Sequence, residues 1–522
     1  GSAGGEDGAA VVVGGGWAAF GAAESLSRNG FGANVTLLDA APTPGGVAGT
    51  AASGGAKIEL GIKGCWRHYR NVERMLEELG LPAASRYGPF SETAFYSPRG
   101  LEVVAPVLGE CEPRLPAPLG PLAYTADRFT DLPYEDRLTA FPLMRALIEF
   151  DLDDDTYASY DRMSFEQLCR SAGVSETLYS TFLRPVLVAL MFAPPRELSA
   201  AAALAVLSNY VLMHQSDFDV RWPTRAPSEV FERWAGRLRE RGVGVRGGAP
   251  VKRVLTEGRG SDARTVGVEL LSGEVIHASA VVLAAGASAL PRIVEASDGL
   301  CGVPGLRGVG ELQTSAVVAA RFTKDGAAAP LPYPANVFGG LGGDIAGTFF
   351  DIGVLTGAAE AGRVVEVDTY NAADLVGRTD EELLAEARRA LALADKRWAN
   401  AAYEVGSARI ARAGSAATHF QPGSHSHTPA MRPRGAPLGV YVAGDLVKQG
   451  PAERDAHRGA RGLSQEKALV TGIAAGGGAA TDVLGVKALT LAPLAVEDDE
   501  PHIEALKDAA RTARAAGLRL PL

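Results

Sequence analysis

The chain has 522 residues, more than one compact core usually holds, so two or three domains are expected. A hydrophobic fraction of 47% and a charged fraction of 21% exclude a chain that is disordered or fibrous as a whole. The net charge of −10 argues against nucleic acid as the main partner, because phosphate binding needs a basic surface.

In chain order, Ala9 and Ala10 lead into Val11-Val12-Val13, a glycine turn at Gly14-Gly15-Gly16 and an Ala-rich helical stretch that ends near Gly30. A second strand, Val35-Thr36-Leu37-Leu38, ends on Asp39, which completes a βαβ unit of about thirty residues. Residues 72–79 read as a helix closed by Gly80, and residues 82–142 as irregular chain with short strands. A helical region over 164–213 is expected to break at Pro185 and at Pro194-Pro195. An amphipathic helix follows at 229–241, with Val230, Phe231, Trp234 and Leu238 at helical spacing. Short alternating runs from Val243 to Leu283 predict a β-rich section that ends on Ala284-Ala285-Gly286. Strand-like runs continue over 309–367, and residues 380–393 read as a helix. Val440-Tyr441-Val442 then enters a turn at Gly444-Asp445, and Ser464 opens a last long helix. There is no internal repeat.

Gly14-x-Gly16-x-x-Ala19, placed between strand and helix with Asp39 about twenty residues on, has every part of a dinucleotide-binding fingerprint. Gly14 permits the tight turn, Gly16 lets backbone N–H groups reach a pyrophosphate, and small Ala19 lets helix and strand pack closely. Asp39 accepts hydrogen bonds from the adenosine ribose. The fingerprint alone leaves FAD and NAD both open.

Gly45-Gly46 follows six residues after Asp39, and with it residues 11–46 resemble the flavin amine oxidase and phytoene desaturase superfamily. The resemblance implies FAD and an α/β fold: a Rossmann-like FAD-binding domain of the glutathione-reductase type with a discontinuous α+β substrate domain. It extends to further segments. Val251-Lys252-Arg253-Val254 resembles the strand whose first residue meets the adenine. Residues 281–286 resemble the strand that ends in an Ala-Gly turn near the cofactor, and Gly444-Asp445 resembles the turn that meets the ribityl–phosphate chain. Gln465 lies in a segment that resembles the opening of the last helix, whose N-terminus faces the flavin and stabilises negative charge on it. Implied cofactor-binding residues are therefore Gly14, Gly16, Ala19, Asp39, Gly45, Gly46, Val251, Gly286, Gly444, Asp445 and Gln465.

Residues 59–71, with 160–165 and 182–195, resemble segments of carotenoid desaturases and isomerases of the plant and cyanobacterial kind, ζ-carotene desaturase among them. Lys63 stands where that group commonly has His, and Val47 where Arg or Lys often follows the glycine pair. Lys63 is a candidate flavin or substrate contact; no catalytic residue is assigned. The resemblance implies hydride transfer from an apolar, carotenoid-like polyene to the flavin, a quinone as electron acceptor, and residence at a plastid or photosynthetic membrane surface, the cytoplasm otherwise. An amine oxidase or protoporphyrinogen-oxidase-like enzyme is the alternative on the same scaffold. Lys63 and Val47 also keep open an inactive FAD-fold binding or assembly subunit. The implied FAD-binding domain takes residues 9–82, 227–307 and 402–485, the substrate domain 83–226 and 308–401, and a tail with a helix 486–522.

Simpler readings account for other features. His68, beside Tyr69 and two arginines, reads as a surface or structural residue. His419, His425 and His427 lack cysteine or carboxylate partners at ligand spacing, and Cys65, Cys111, Cys169 and Cys301 have no CxxC pattern, so neither a metal site nor a disulfide scaffold is expected. Acidic runs at 151–155 and 497–500 read as solvated turns or helix starts. Residues 198–213 are apolar but fall short of the ~20 residues that span a bilayer; they read as core, with peripheral membrane contact the alternative. Residues 1–10 do not read as a signal peptide. Of the 63 glycines, those in the placed turns suit close backbone approach, whereas Gly476-Gly477-Gly478 reads as compositional bias.

Overall fold

The computed structural model of the protein describes residues 8–48, 58, 60–326, 329–342, 344–357, 361–400, 403 and 405–518. Glu59 and residues 401–402, named above, lie outside them.

A five-stranded sheet has the order Val440–Val442, Ala280–Leu283, Ala10–Val13, Val35–Leu38, Gly244–Arg246, and every pairing in it is parallel. Ala10–Val13 is the middle strand and all four residues are buried. A strand covered on both faces has no polar side to show, which is why its sequence is a continuous apolar run. The helix Trp17–Leu26 follows directly and lies against Gln465–Asp482. The two helices meet through small residues. A Cβ on Gly472 would fall 2.1 Å from the Ala18 carbonyl oxygen, and one on Gly476 would fall 2.5 Å from that of Ala22. Gly477 and Gly478 likewise abut Leu489 and the Arg432 guanidinium, where a Cβ would lie at 2.8 and 2.9 Å. The bias reading is thus corrected at Gly476, where backbone approach of two helices demands glycine, while Gly477 and Gly478 meet only side-chain ends.

The expected β-rich section divides. Gly244–Arg246 and Ala280–Leu283 join the parallel sheet, while Val251–Glu257, Arg264–Leu270 and Val275–His277 form a separate antiparallel sheet. A seven-stranded sheet, larger than either, takes strands from both ends of the middle of the chain. Its order is Ser407–His419, Gln313–Thr323, Val364–Tyr370, Ala346–Asp351, Ala335–Phe338, Thr93–Ser97, Gly100–Ala105. Ser407–His419 pairs with Gln313–Thr323 over the length of both strands, so part of the 402–485 segment builds the sheet of the substrate side.

Helices pack around this sheet. Pro185 stands in the first turn of Arg184–Met191, where its missing N–H costs nothing, so it does not break the chain as expected. The interruption comes at Phe192, which takes a left-handed conformation (φ 57°). Leu198 and the helix Ala200–Leu207 are core: Leu198, Ala200, Ala201 and Leu204 are fully covered. Those residues lie in the core, as the first reading of this stretch expected. Among the described residues no helix is long and apolar enough to cross a bilayer. Within 82–142 the short strands are accompanied by helices Leu119–Thr125 and Tyr134–Leu138, which periodicity did not reveal. The tail helix Pro501–Ala515 buries Ile503 and Ala510 against Phe141–Glu149. Both acidic runs supply helix caps or starts, with Asp153 accepting from the Thr156 N–H at 2.7 Å.

Candidate functional site

The strand Ala10–Val13 delivers the chain into a turn that only glycine can make. Gly14 has φ 128°, and a Cβ there would lie 2.2 Å from the Ala284 carbonyl oxygen. Gly16 precedes the helix and leaves its first N–H groups open toward a cavity, since no side chain caps them. The glycine pair at 45–46 folds back onto this turn: a Cβ on Gly46 would sit 2.8 Å from the Gly16 Cα. Gly15, absent from the sequence assignment, also has a steric task. Its Cβ would fall 1.7 Å from a carboxylate oxygen of Asp39, so glycine at this position is what lets Asp39 close on the turn. The Asp39 carboxyl is held above its usual range by burial, partly offset by N–H groups of Ala41 and Ala40.

These residues open on a cavity of about 930 Å³. Gly14, Gly16, Asp39, Gly45, Gly46, Lys63, Val251, Gly286, Gly444, Asp445 and Gln465 all line it, so segments spread over the whole chain converge there. Ala19 does not; it is fully covered in the packing of helix on strand, the role its small size suggested. The far end is formed by the Gly444-Asp445 turn and the start of Gln465–Asp482, which Ser464 caps by accepting from the Lys467 N–H at 3.0 Å. Two buried charges brace that end. The Lys467 ammonium donates to the carbonyl oxygens of Asp445 and Val447, the latter at 2.7 Å, and burial brings its pKa down to about 7. Glu466 accepts from the backbone N–H groups of Asn71 and Val72, both at 2.9 Å, and burial pushes its carboxyl up to about 7. The helix start is therefore tied to two other segments.

A second, smaller cavity of about 150 Å³ adjoins the first, and Lys63, Phe192, Leu463, Ser464 and Gln465 line both. Its walls are apolar and aromatic, among them Trp66, Phe95, Tyr210, Trp222, Phe350 and Tyr370. Among the described lining residues Lys63 carries the one formal charge. The lysine is positioned from the sheet behind it. Asp368 accepts from the Gly61 N–H at 3.1 Å and the Ile62 N–H at 3.4 Å, while the Lys63 ammonium donates to the carbonyl oxygens of Leu60 and Gly61, the latter at 2.7 Å. Glu366, Asp368 and Tyr370 share one face of Val364–Tyr370, as period two requires. Burial, with Glu366 beside it, holds the Asp368 carboxyl well above the usual carboxylate range. Tyr370 bonds the Thr348 hydroxyl at 2.8 Å and stacks on Phe192 with centroids 4.2 Å apart. Two acids and a tyrosine on one face of an otherwise apolar strand are the signal that sequence reading passed over.

The histidines take no part. His68 is buried between Tyr69 and Tyr210, with ring centroids 5.2 Å from each, and burial lowers its pKa to about 4; a structural residue, it is not on the surface. His419 bonds the Glu197 carbonyl at 2.9 Å and His425 packs on Tyr157. Among the described residues no group of three or more His, Cys, Asp or Glu could hold a metal ion.

Comparison with known proteins bears on this geometry. The sequence profile of the family described as flavin containing amine oxidoreductase matches residues 21–457. A probable zeta-carotene desaturase of Synechococcus elongatus is 28% identical over 208 residues, which is 38% of this chain and 41% of that protein. The match thus spans less than half of that relative. Among solved structures, cyclohexylamine oxidase of Brevibacterium oxydans superposes with a TM-score of 0.66 at 15% identity, covering 92% of this chain and all of that one. Putrescine oxidase superposes with a TM-score of 0.60 at 17% identity, covering 90% and 98%. At such identities the likeness is one of fold.

Proposed function

We propose, from the premise that the chain belongs to the flavin-containing amine oxidoreductases and is an FAD-dependent oxidoreductase, that its substrate is an apolar, carotenoid-like polyene. In this reading the FAD pyrophosphate lies on the Gly14–Gly16 turn and the helix start behind it, the adenosine ribose on Asp39, and the adenine on Val251. Gly45, Gly46 and Gly286 flank the dinucleotide, and Gly444-Asp445 with the helix start at Gln465 holds the flavin end. The cavity fits such a group because each close approach falls on a glycine. Bound FAD supplies a two-electron acceptor.

The chain's own residues do the rest. The positive end of the helix Gln465–Asp482, behind its Ser464 cap, stabilises negative charge at that end of the cavity. The aromatic chamber excludes water and orients a flat apolar chain by contact alone. Asp368, through the loop at 61–62, sets the position of Lys63 at the junction of cofactor cavity and chamber.

The observation that carries this reading is the lining of the chamber: rings and aliphatic side chains, with a lysine as its charge. A protonated amine entering there meets a like charge and no carboxylate, so an amine substrate is disfavoured despite the fold. The partial likeness to a probable zeta-carotene desaturase agrees with it. The test is anaerobic mixing of the purified flavoprotein with a detergent-solubilised carotene and, separately, with an alkylamine. Bleaching of the flavin absorption by the carotene is expected; bleaching by the amine alone would overturn the proposal.

A further inference from the structure

The chamber does not end at its aromatic wall. Three elements run from it into another cavity of about 470 Å³. On the strand Thr93–Ser97, Thr93 and Phe95 line the chamber and Ser97, on the same face, lines the cleft beyond. Beside it, Val337 lines the chamber and Gly339, two residues on, lines the cleft. The helix Arg184–Met191 shows Val186 and Leu190 to the chamber and its first residue, Arg184, to the cleft. At ~3.3 Å per residue the step from Thr93 to Ser97 is about 13 Å.

Apolar side chains pack together where elements of the two linings run on into each other. Phe95, Val186 and Val337 are buried there, with Phe182 packed on them at 5.5 Å between ring centroids. Phe182 belongs to the wide turn Tyr179–Leu183, a π-type insertion of a kind that recurs at functional sites. Gly339 lets strand and helix close up beside these side chains: a Cβ there would lie 2.8 Å from Pro185 Cβ. The cleft is polar where the chamber is not. Arg99 is matched, with both guanidinium arms on Glu102 at 3.0 Å and a bond to the Thr181 hydroxyl at 3.2 Å. The Arg184 side chain, half-buried, has no hydrogen bond or ion pair from its guanidinium among the described residues, and Glu176 stands exposed at the rim.

We infer that chamber and cleft form one substrate path, in which the cleft takes a carboxylate at the end of an elongated apolar substrate and Arg184 supplies the counter-charge. The inference rests on the apolar-substrate reading and sharpens its class from hydrocarbon to amphiphile. A guanidinium fork binds a carboxylate bidentately, a geometry no hydrocarbon end can use.

The test uses the FAD-loaded protein and two probes of equal length, all-trans-retinoic acid and its methyl ester, with binding followed by the absorption shift of the polyene. The wild type should bind the acid roughly tenfold more tightly than the ester. Arg184→Gln should erase that preference and leave the ester's affinity and the flavin spectrum as they were. Equal binding of acid and ester by the wild type, or a preference that survives Arg184→Gln, overturns the cleft as a carboxylate site while leaving the chamber's reading intact. Failure of both probes to bind, together with flavin reduction by amines alone, overturns both.

Discussion

The two cavities that meet at Lys63 are built from different material. The larger is shaped by backbone: Gly14, Gly15 and Gly46 bring main chain to where side chains would collide, and Gly286 and Gly444 take positive φ angles. The smaller is shaped by rings that come from segments hundreds of residues apart, such as Trp66, Trp222 and Tyr370. A backbone cradle accepts one kind of ligand and tolerates almost no change, because a methyl group has nowhere to go. A side-chain wall can be redrawn one residue at a time without disturbing the fold. That contrast shows how a fold shared with cyclohexylamine and putrescine oxidases leaves the chamber's walls free to differ.

Gly14→Ala is the sharpest way to break the cradle. With φ 128° and a Cβ 2.2 Å from a carbonyl oxygen, it should lower flavin affinity by about 3 kcal/mol, on the order of a hundredfold, read as flavin retained per protein after dialysis. Glu466 stands on the helix that serves both cavities. Burial raises its carboxyl from 4.5 to about 7, so the native state holds this proton more tightly than the unfolded chain does. The stability from this group is complete below pH 4.5 and is lost as pH rises through 7. Glu466→Gln cannot ionise. Its stability relative to wild type should therefore improve by on the order of 3 kcal/mol across that window, measured by denaturant titration at each pH. A constant difference would show that Glu466 does not titrate there.

On the chamber side, Asp368→Asn keeps shape and turns one of the two oxygens that accept from the Gly61 and Ile62 N–H groups into a donor. It should leave flavin content unchanged and reduce kcat roughly ten- to hundredfold, the equivalent of about 1–3 kcal/mol, as Lys63 loses its fixed setting. Unaltered kcat would remove Asp368 from any positioning role. The smallest effects separate glycines of different kinds. Gly472→Ala, with its Cβ 2.1 Å from the Ala18 carbonyl oxygen, should destabilise the protein by about 1–3 kcal/mol, whereas Gly377→Ala, which meets nothing within 4 Å, should change stability by less than about 0.5 kcal/mol. Equal thermal shifts in the two would undo the distinction between packed and unconstrained glycines.

The same contrast decides what could be read from sequence. Turn, helix and acid at 14–39 are local, so their order in the chain is already their order in space, and Gly45-Gly46 extends it by a few residues. The residues placed by resemblance, Val251, Gly286, Gly444, Asp445 and Gln465, arrive at the same cavity for the same reason: each sits at the end of a recognisable strand or the start of a helix. The chamber has no such local mark. Phe350 and Trp222 look like any core aromatic until the sheets bring them beside Lys63. Asp368 was missed because its effect runs through the backbone of residues 61 and 62, a link of some 300 residues that no spacing encodes. Gly476 was misjudged because its partner surface, the helix Trp17–Leu26, lies at the other end of the sequence.

That helix pair sets a timetable for biosynthesis. The turn at Gly14 leaves the ribosome roughly 450 residues before Gln465, an interval of about half a minute to a minute and a half at 5–20 residues per second. Until Gln465–Asp482 emerges, Trp17–Leu26 has one face without its partner and the cofactor cavity lacks its far wall. A ligand that needs that wall can therefore be enclosed only at the end of synthesis, and the nascent chain must keep an Ala-rich apolar helix out of trouble for most of the time it takes to be made.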